Sequence, residues 1–179
     1  EIAQWYGFRS VPVFSEEVSA FSPEDLYSNV LGIRLGLIID LQGDASSQHR
    51  FSDALTRLLP QALGALGAVS SAQTREMFDR IDGCWWNSEA RVPDKFLLLY
   101  RSYNVSGDRL PLQPDTETFP PQELTVPHDW NGTPLQKYAE LRLVPDGTPT
   151  GSLPSVPAAG YWTVGDFPKL VAAAGRHDA

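Results

Sequence analysis

The residues of this 179-residue chain with chemical potential are three histidines, one cysteine, five tryptophans and a scatter of carboxylates. His49, His128 and His177 each stand alone: none has a second histidine at the short spacings that place two imidazoles on one metal. A complete metal site inside the chain is therefore not expected. His128 lies in Val126-Pro127-His128-Asp129-Trp130, a loop that sets a carboxylate and an indole beside it. A Ser-His-Asp set could be assembled on paper, but no nucleophile-elbow motif supports it. Cys84 has no partner for an internal disulfide. No histidine or basic run flanks it to stabilise a thiolate, so it reads as a small buried apolar residue beside Trp85 and Trp86.

The tryptophans divide in the same way. Trp85 and Trp86 sit between a helix stop and an apolar run, where large rings seal a core. Trp130, with His128 and Asn131 around it, is the one expected at the surface, where an indole face can stack on a sugar or pack on a partner. Asn104-Val-Ser106 and Asn131-Gly-Thr133 are glycosylation sequons by pattern, which chance alone accounts for. Among the carboxylates, Glu1 shares a helix face with Trp5. Glu24 and Asp25 stand where acids favour the positive end of a helix. Glu16 and Glu17 read as a solvated pair.

Several elements must position these groups. Residues 1–8 read as the end of a helix stopped by Gly7. Residues 11–22 read as an irregular arm. Ser22-Pro23-Glu24-Asp25 is a strong helix start: a cap, a proline at the first position and two acids in the first turn. The helix predicted from there runs to Leu41, with Leu26, Val30, Ile33, Leu37 and Leu41 on its buried face and Leu31, Leu35 and Ile38 widening it. A second helix is expected from Ser52, kinked or split at Pro60. A third follows Ser70-x-x-Gln73, a capping box, and stops at Gly83. Lys95–Val105 reads as a buried strand, and Tyr138–Val144 as another. Ten of the 15 prolines fall between 111 and 157, which predicts a long surface arm. Asp166 is placed to cap a short final helix, with 177–179 frayed beyond it. The fold class is α+β: a helical unit over about 22–82, a small sheet from 95 onward and the proline-rich arm. The chain divides into residues 1–110, 111–157 and 158–179, as one domain or the C-terminal half of a larger one.

Fourteen basic residues against 22 acidic ones give a net charge of −8. With no Lys/Arg run, the chain repels a phosphate backbone, and nucleic-acid binding is excluded. The longest apolar stretch, Leu31–Leu41, is too short and too interrupted for a membrane span. The acidic balance suits a basic partner, such as a toxin that this chain would inhibit, though no motif points there.

Three phrases, EIAQWYGF (1–8), FSEEVSAFSPEDLYSNVLGI (14–33) and FDRIDGCWWNSEARVPDKFLLLYRSYNV (78–105), resemble the C-terminal half of the bacterial family catalogued as domain of unknown function 4056. The resemblance covers residues 1–105. It implies a bacterial protein of the periplasm or cell envelope, and an upstream segment whose last residue is a histidine. His-Glu on a helix with Glu24-Asp25 downstream is similar to a helical metallohydrolase, with zinc as the metal, Glu24 and Asp25 as metal ligands and Glu1 as general base. The chain departs from that layout, because Gln4 and Trp5 stand where the second histidine belongs. Further ligands would come from the upstream segment, which would also cover apolar surface here. The competing expectation is a non-catalytic acidic module that binds a protein or a glycan. Trp5, Tyr6, His128 and Trp130 are the candidate binding residues.

Overall fold

A computed structural model describes residues 1–7, 16–91, 98–111, 122–130, 132–145 and 153–178. Its elements in chain order are α1 (Ile2–Trp5), α2 (Pro23–Leu41), α3 (Gln48–Ala65), α4 (Ser71–Ile81), the two-residue strands β1 (Asp108–Arg109), β2 (Leu124–Thr125), β3 (Asp129–Trp130), β4 (Thr133–Pro134), β5 (Arg142–Leu143) and β6 (Trp162–Thr163), then α5 (Phe167–His177). The class is α+β. Among the described residues, the strands pair antiparallel as β1–β2, β3–β4 and β5–β6. The single small sheet expected from 95 onward is thus three separate ladders, the first beginning at Asp108. The chain divides into two compact units.

Unit 2 comprises 24–81 and 107–127. It holds the helical stretch that the sequence predicts. Pro23 takes the first position of α2, and Glu24 and Asp25 occupy its first turn. Gly43, at φ 75°, turns the chain into a short 3-10 segment, Asp44–Ser46. Ser47 then caps α3 by accepting the Arg50 N–H at 3.3 Å, so α3 starts earlier than the expected Ser52. Asp44 pairs with Arg50 and Arg57 of α3 at 2.9 and 3.5 Å. Pro60 lies inside α3, which runs unbroken past it in a single helical segment. The Ser70 capping box forms as expected. Ser70 Oγ accepts the Gln73 N–H, and Gln73 Oε1 accepts the Ser70 N–H.

Helix α2 buries only part of the face expected, Val30 and Leu35, and adds Ile39 to it. Val30, Leu35 and Ile39 are buried, whereas Ile33, Ile38 and Leu41 are exposed. Apolar residues lie all round this helix, so periodicity does not choose one face. Among the described residues, Ala54, Ile81 and Leu124 are the other buried apolar residues of this unit. Tyr27 on α2 donates to the Gln122 carbonyl at 2.8 Å, tying the helix to the segment that leads into β2.

Unit 1 comprises 1–23, 82–106 and 128–179. Its core joins Trp5, Ala20, Phe21, Val171 and Ala174, with Ile2, Tyr6 and Tyr103 packed around them. Helix α5 supplies Leu170, Val171 and Ala174 from one face. The described part of the expected 95–105 strand, residues 98–105, is irregular, and 95–97 lie outside the described residues. Tyr138–Val144 contributes only β5, which pairs Arg142 with Thr163 and Leu143 with Trp162. Asp166 accepts the Thr163 N–H at 3.0 Å, within a capping box that starts the 3-10 turn Val164–Asp166. Of the segment expected to fray, His177 and Asp178 are anchored: α5 runs through His177, and the Asp178 side chain is held by hydrogen bonds, while 179 lies outside the described residues. Of the proline-rich stretch, 112–121 and 146–152 lie outside the described residues.

Candidate functional site

Helix α1 is a single turn and could not stand alone in water. Its side chains show what holds it. Trp5 is buried, and its ring meets Tyr6 edge-on at 4.7 Å and His177 at 5.3 Å. The Trp5 indole N–H donates to Asp178 Oδ2 at 3.3 Å. The Tyr6 hydroxyl donates to the Leu170 carbonyl at 2.6 Å. Burial raises the Tyr6 phenol above its ordinary pKa, with Arg176 opposing. Glu1 Oε2 accepts the backbone N–H of Phe21 at 2.6 Å. Gln4 reaches Glu16 at 3.1 Å, so Glu16 is tied into the fold and is not merely solvated.

Phe21 is the non-glycine residue with positive φ among the described residues, at 63°, and it is buried. A bulky residue in the left-handed region carries backbone strain, on the order of 1–3 kcal/mol, that its surroundings must offset. Here they comprise the aromatic core and the carboxylate of Glu1. Ala20 and Ser22 on either side are also buried.

A polar cluster of unit 1 gathers on Asp178. Tyr103 donates its hydroxyl to Asp178 Oδ2. Arg101 Nη1 lies 3.3 Å from the same oxygen. That contact is within ion-pair range but out of line for a hydrogen bond, so the buried Nη1 has no aligned acceptor. Arg101 Nη2 donates to the Glu17 carbonyl at 3.0 Å. Burial pushes the Asp178 carboxyl up. The bonds from Tyr103 and Trp5 and the Arg101 charge outweigh it, and the net displacement is below the ordinary value. The Tyr103 phenol is pushed up to about 12, by burial first and then by its bond to Asp178. Its ring lies 5.1 Å from that of Phe21 and against α5 at Gly175, where a Cβ would meet ring carbons at 3.4 Å.

Sequence reasoning missed Arg101, Tyr103 and Asp178. One signal was available: Arg101 and Tyr103 are two apart in the strand predicted over 95–105, a spacing that puts them on one side of an extended chain. An arginine inside the run Phe96–Val105 also demands a counter-charge. The source of that charge, near the far end of the sequence, left no local trace.

The expected site residues are placed as follows. Trp5 and Tyr6 lie together in unit 1, both turned into its packing, and Glu1 sits at the head of their helix. Glu24 and Asp25 belong to unit 2. Glu24 is exposed and Asp25 half-buried. Burial and the neighbouring Glu24 raise the Asp25 carboxyl above its ordinary pKa. Among the described residues, no group of three or more His, Cys, Asp or Glu side chains could hold a metal ion. Glu24 and Asp25 are two carboxylates, and a zinc centre built on them needs further ligands.

His128 and Trp130 sit on another feature of unit 1. The β3–β4 ladder pairs Asp129 with Pro134 and Trp130 with Thr133, antiparallel. Gly132 has φ 74°, and Asp129 Oδ1 accepts its N–H at 3.0 Å. The His128 carbonyl accepts the Leu135 N–H at 3.0 Å, while its imidazole is exposed. Trp130 is 41% exposed, as its sequence context predicts. The second sequon residue, Asn131, lies outside the described residues.

Cys84 is exposed rather than buried. It lies in the loop after α4, where Asp82 binds both the N–H and the hydroxyl of Ser88. Trp85 and Trp86 are half-buried, and Trp85 stacks on Tyr100 at 6.0 Å. Among the described residues no helix is long and apolar enough to cross a membrane.

A family model, protein of unknown function (DUF4056), matches residues 1–114. No curated protein matches the chain, and no solved structure does.

Proposed function

The chain belongs to the DUF4056 family, and from that premise we propose that it is a non-catalytic glycan-binding module of a bacterial envelope protein. The observation that carries this reading is Trp130. Its indole stands 41% exposed on a hairpin whose turn is fixed by the Asp129–Gly132 bond. A rigidly held, exposed aromatic face suits the C–H edges of a sugar ring, and neighbouring polar groups suit its hydroxyls. His128 and Asp129 are both exposed beside it. The polar groups of Glu1, Trp5 and Tyr6, by contrast, hold the packing of unit 1 together. Titration with a panel of soluble envelope oligosaccharides, followed by calorimetry, tests the reading. Trp130→Ala should weaken the best binder at least tenfold. Sugar binding that survives the substitution removes the glycan assignment. A bound protein in place of a sugar makes the hairpin a protein-docking site.

A second reading is favoured by the strained, buried Phe21 held by Glu1. Backbone strain gathers at functional sites, and this one adjoins the Ser22-Pro23-Glu24-Asp25 run. In that reading the chain is part of a hydrolase, completed by an upstream segment, with Glu1 as general base. Its metal-dependent form needs ligands beyond Glu24 and Asp25. Glu1→Gln keeps an acceptor for the Phe21 N–H and removes the base. In the longer protein it should abolish turnover at unchanged melting temperature, and retained turnover ends this reading.

A further inference from the structure

We propose that Trp5, Tyr103 and Arg101 form a carboxylate-binding site that Asp178 fills as an internal ligand, and that an acidic ligand enters by displacing it.

Three donors of different chemistry converge on a single oxygen, Asp178 Oδ2: an indole N–H, a phenol O–H and a guanidinium. Such a set matches a carboxylate, which offers two oxygens and about four lone pairs. Asp178 uses the set poorly. Its other oxygen, Oδ1, faces His177 Nδ1 at 3.5 Å rather than the guanidinium. Arg101 spends Nη2 on the Glu17 carbonyl, while its Nη1, 3.3 Å from Asp178 Oδ2, is buried with no aligned acceptor, so one strong donor of the set is left for a better-placed carboxylate oxygen. The Arg101 side chain is 11% exposed, so water does not readily make up the difference. The Asp178 carboxylate is tethered at the C-cap of α5, which fixes its approach. A carboxylate free of that tether could rotate both oxygens onto the donors.

Position in the chain separates receptor from occupant. Trp5, Arg101 and Tyr103 all lie inside the 1–114 match to the family, whereas Asp178 lies outside it. The three donors thus lie within the matched stretch, and the carboxylate comes from a segment outside it. This site shares no residue with the Trp130 hairpin, and it stands whether or not that hairpin binds a glycan.

The test uses the full chain with 15N-labelled tryptophan, the Trp5 indole signal being assigned from Trp5→Phe. Asp178→Ala empties the site. Sodium acetate is titrated at pH 7 and constant ionic strength, with sodium chloride replaced step by step. The expected result is a saturable displacement of the Trp5 indole signal by acetate in Asp178→Ala, with the unaltered chain needing at least tenfold more. Equal response to chloride, or no response, overturns the proposal. If Asp178→Ala folds only with acetate present, that rescue supports it. If it does not fold in either salt, Asp178→Asn decides, since its neutral amide keeps the shape but binds a guanidinium weakly. Saturable acetate binding there supports the proposal, and its absence overturns it.

Discussion

Tyr103→Phe isolates one bond in the Asp178 cluster, and its consequence can be worked through. The substitution removes the hydroxyl and leaves the ring that packs on Phe21 and α5. At neutral pH the loss is one hydrogen bond to a charged acceptor, about 1.5 kcal/mol, since Asp178 keeps Trp5 and Arg101. For a chain of this length, that lowers the melting temperature by roughly 3–6 °C. The pH profile is more diagnostic. The folded phenol titrates at about 12 against an ordinary 10.0. A group raised on folding contributes stability that is full below its unfolded pKa and lost as pH climbs toward the folded one. A fully enclosed phenol with this displacement would be worth about 2.7 kcal/mol. The Tyr103 hydroxyl is only partly enclosed, and screening reduces that to about 1 kcal/mol. Urea midpoints between pH 9 and 12 should therefore fall less steeply for Tyr103→Phe than for the unaltered chain. Parallel alkaline limbs would refute the reasoning, because Tyr103 would then titrate alike in both states.

Other outcomes follow from the same packing. On acidification the Asp178 carboxyl acts in the opposite sense: its folded pKa is depressed, so its contribution is complete above the unfolded value of about 3.9 and disappears as pH falls through the folded one. Asp178→Asn should flatten that acid limb in urea titrations between pH 2 and 5. Phe21→Ala should cost about 3 kcal/mol by chemical denaturation, the loss of a buried ring exceeding any relief of its backbone. Gly175→Ala should stabilise unit 1 by about 0.5–1 kcal/mol, because alanine favours the helix and the new methyl meets the Tyr103 ring at 3.4 Å, an ordinary contact. Ser70→Ala should cost about 1 kcal/mol through the lost cap, with faster amide exchange confined to the first turn of α4.

Legibility followed the range of the forces. The starts of α2 and α4 were readable because Pro23, Glu24, Ser70 and Gln73 act within one turn of themselves. Gly43 and Gly83 marked chain reversals for the same reason: only glycine adopts positive φ cheaply. The face of α2 was read only in part, Val30 and Leu35 being buried but Ile33, Ile38 and Leu41 exposed, since its apolar residues encircle the helix and tertiary packing decides among them. Residues 98–105 are rich in strand-forming side chains, yet they spend backbone groups on Val18, Phe21 and Trp85 rather than on a neighbouring strand. Propensity cannot foresee that choice. At the site, the exposure of Trp130 was legible from the polar His128 and Asn131 that flank it in sequence. The Asp178 cluster was not, because its members are distant in sequence and no local rule connects Trp5 with residue 178.

That distance has a bearing on how the molecule comes into being. Unit 1 is assembled from three stretches of chain, and its core needs Val171 and Ala174 from the last of them. Unit 2 is drawn wholly from residues 24–127. During synthesis, every residue of unit 2 has been made while unit 1 still lacks α5. Trp5 and Phe21 must then wait, with apolar rings unburied, until some fifty further residues emerge, which takes about 3–10 s at ordinary translation rates. Closing a loop from residue 5 to residue 178 adds an entropic barrier that grows only slowly with length, so the delay is set by the ribosome more than by the search. The nascent chain is most exposed to proteases and chaperones in that interval, and the arrival of Asp178 ends it.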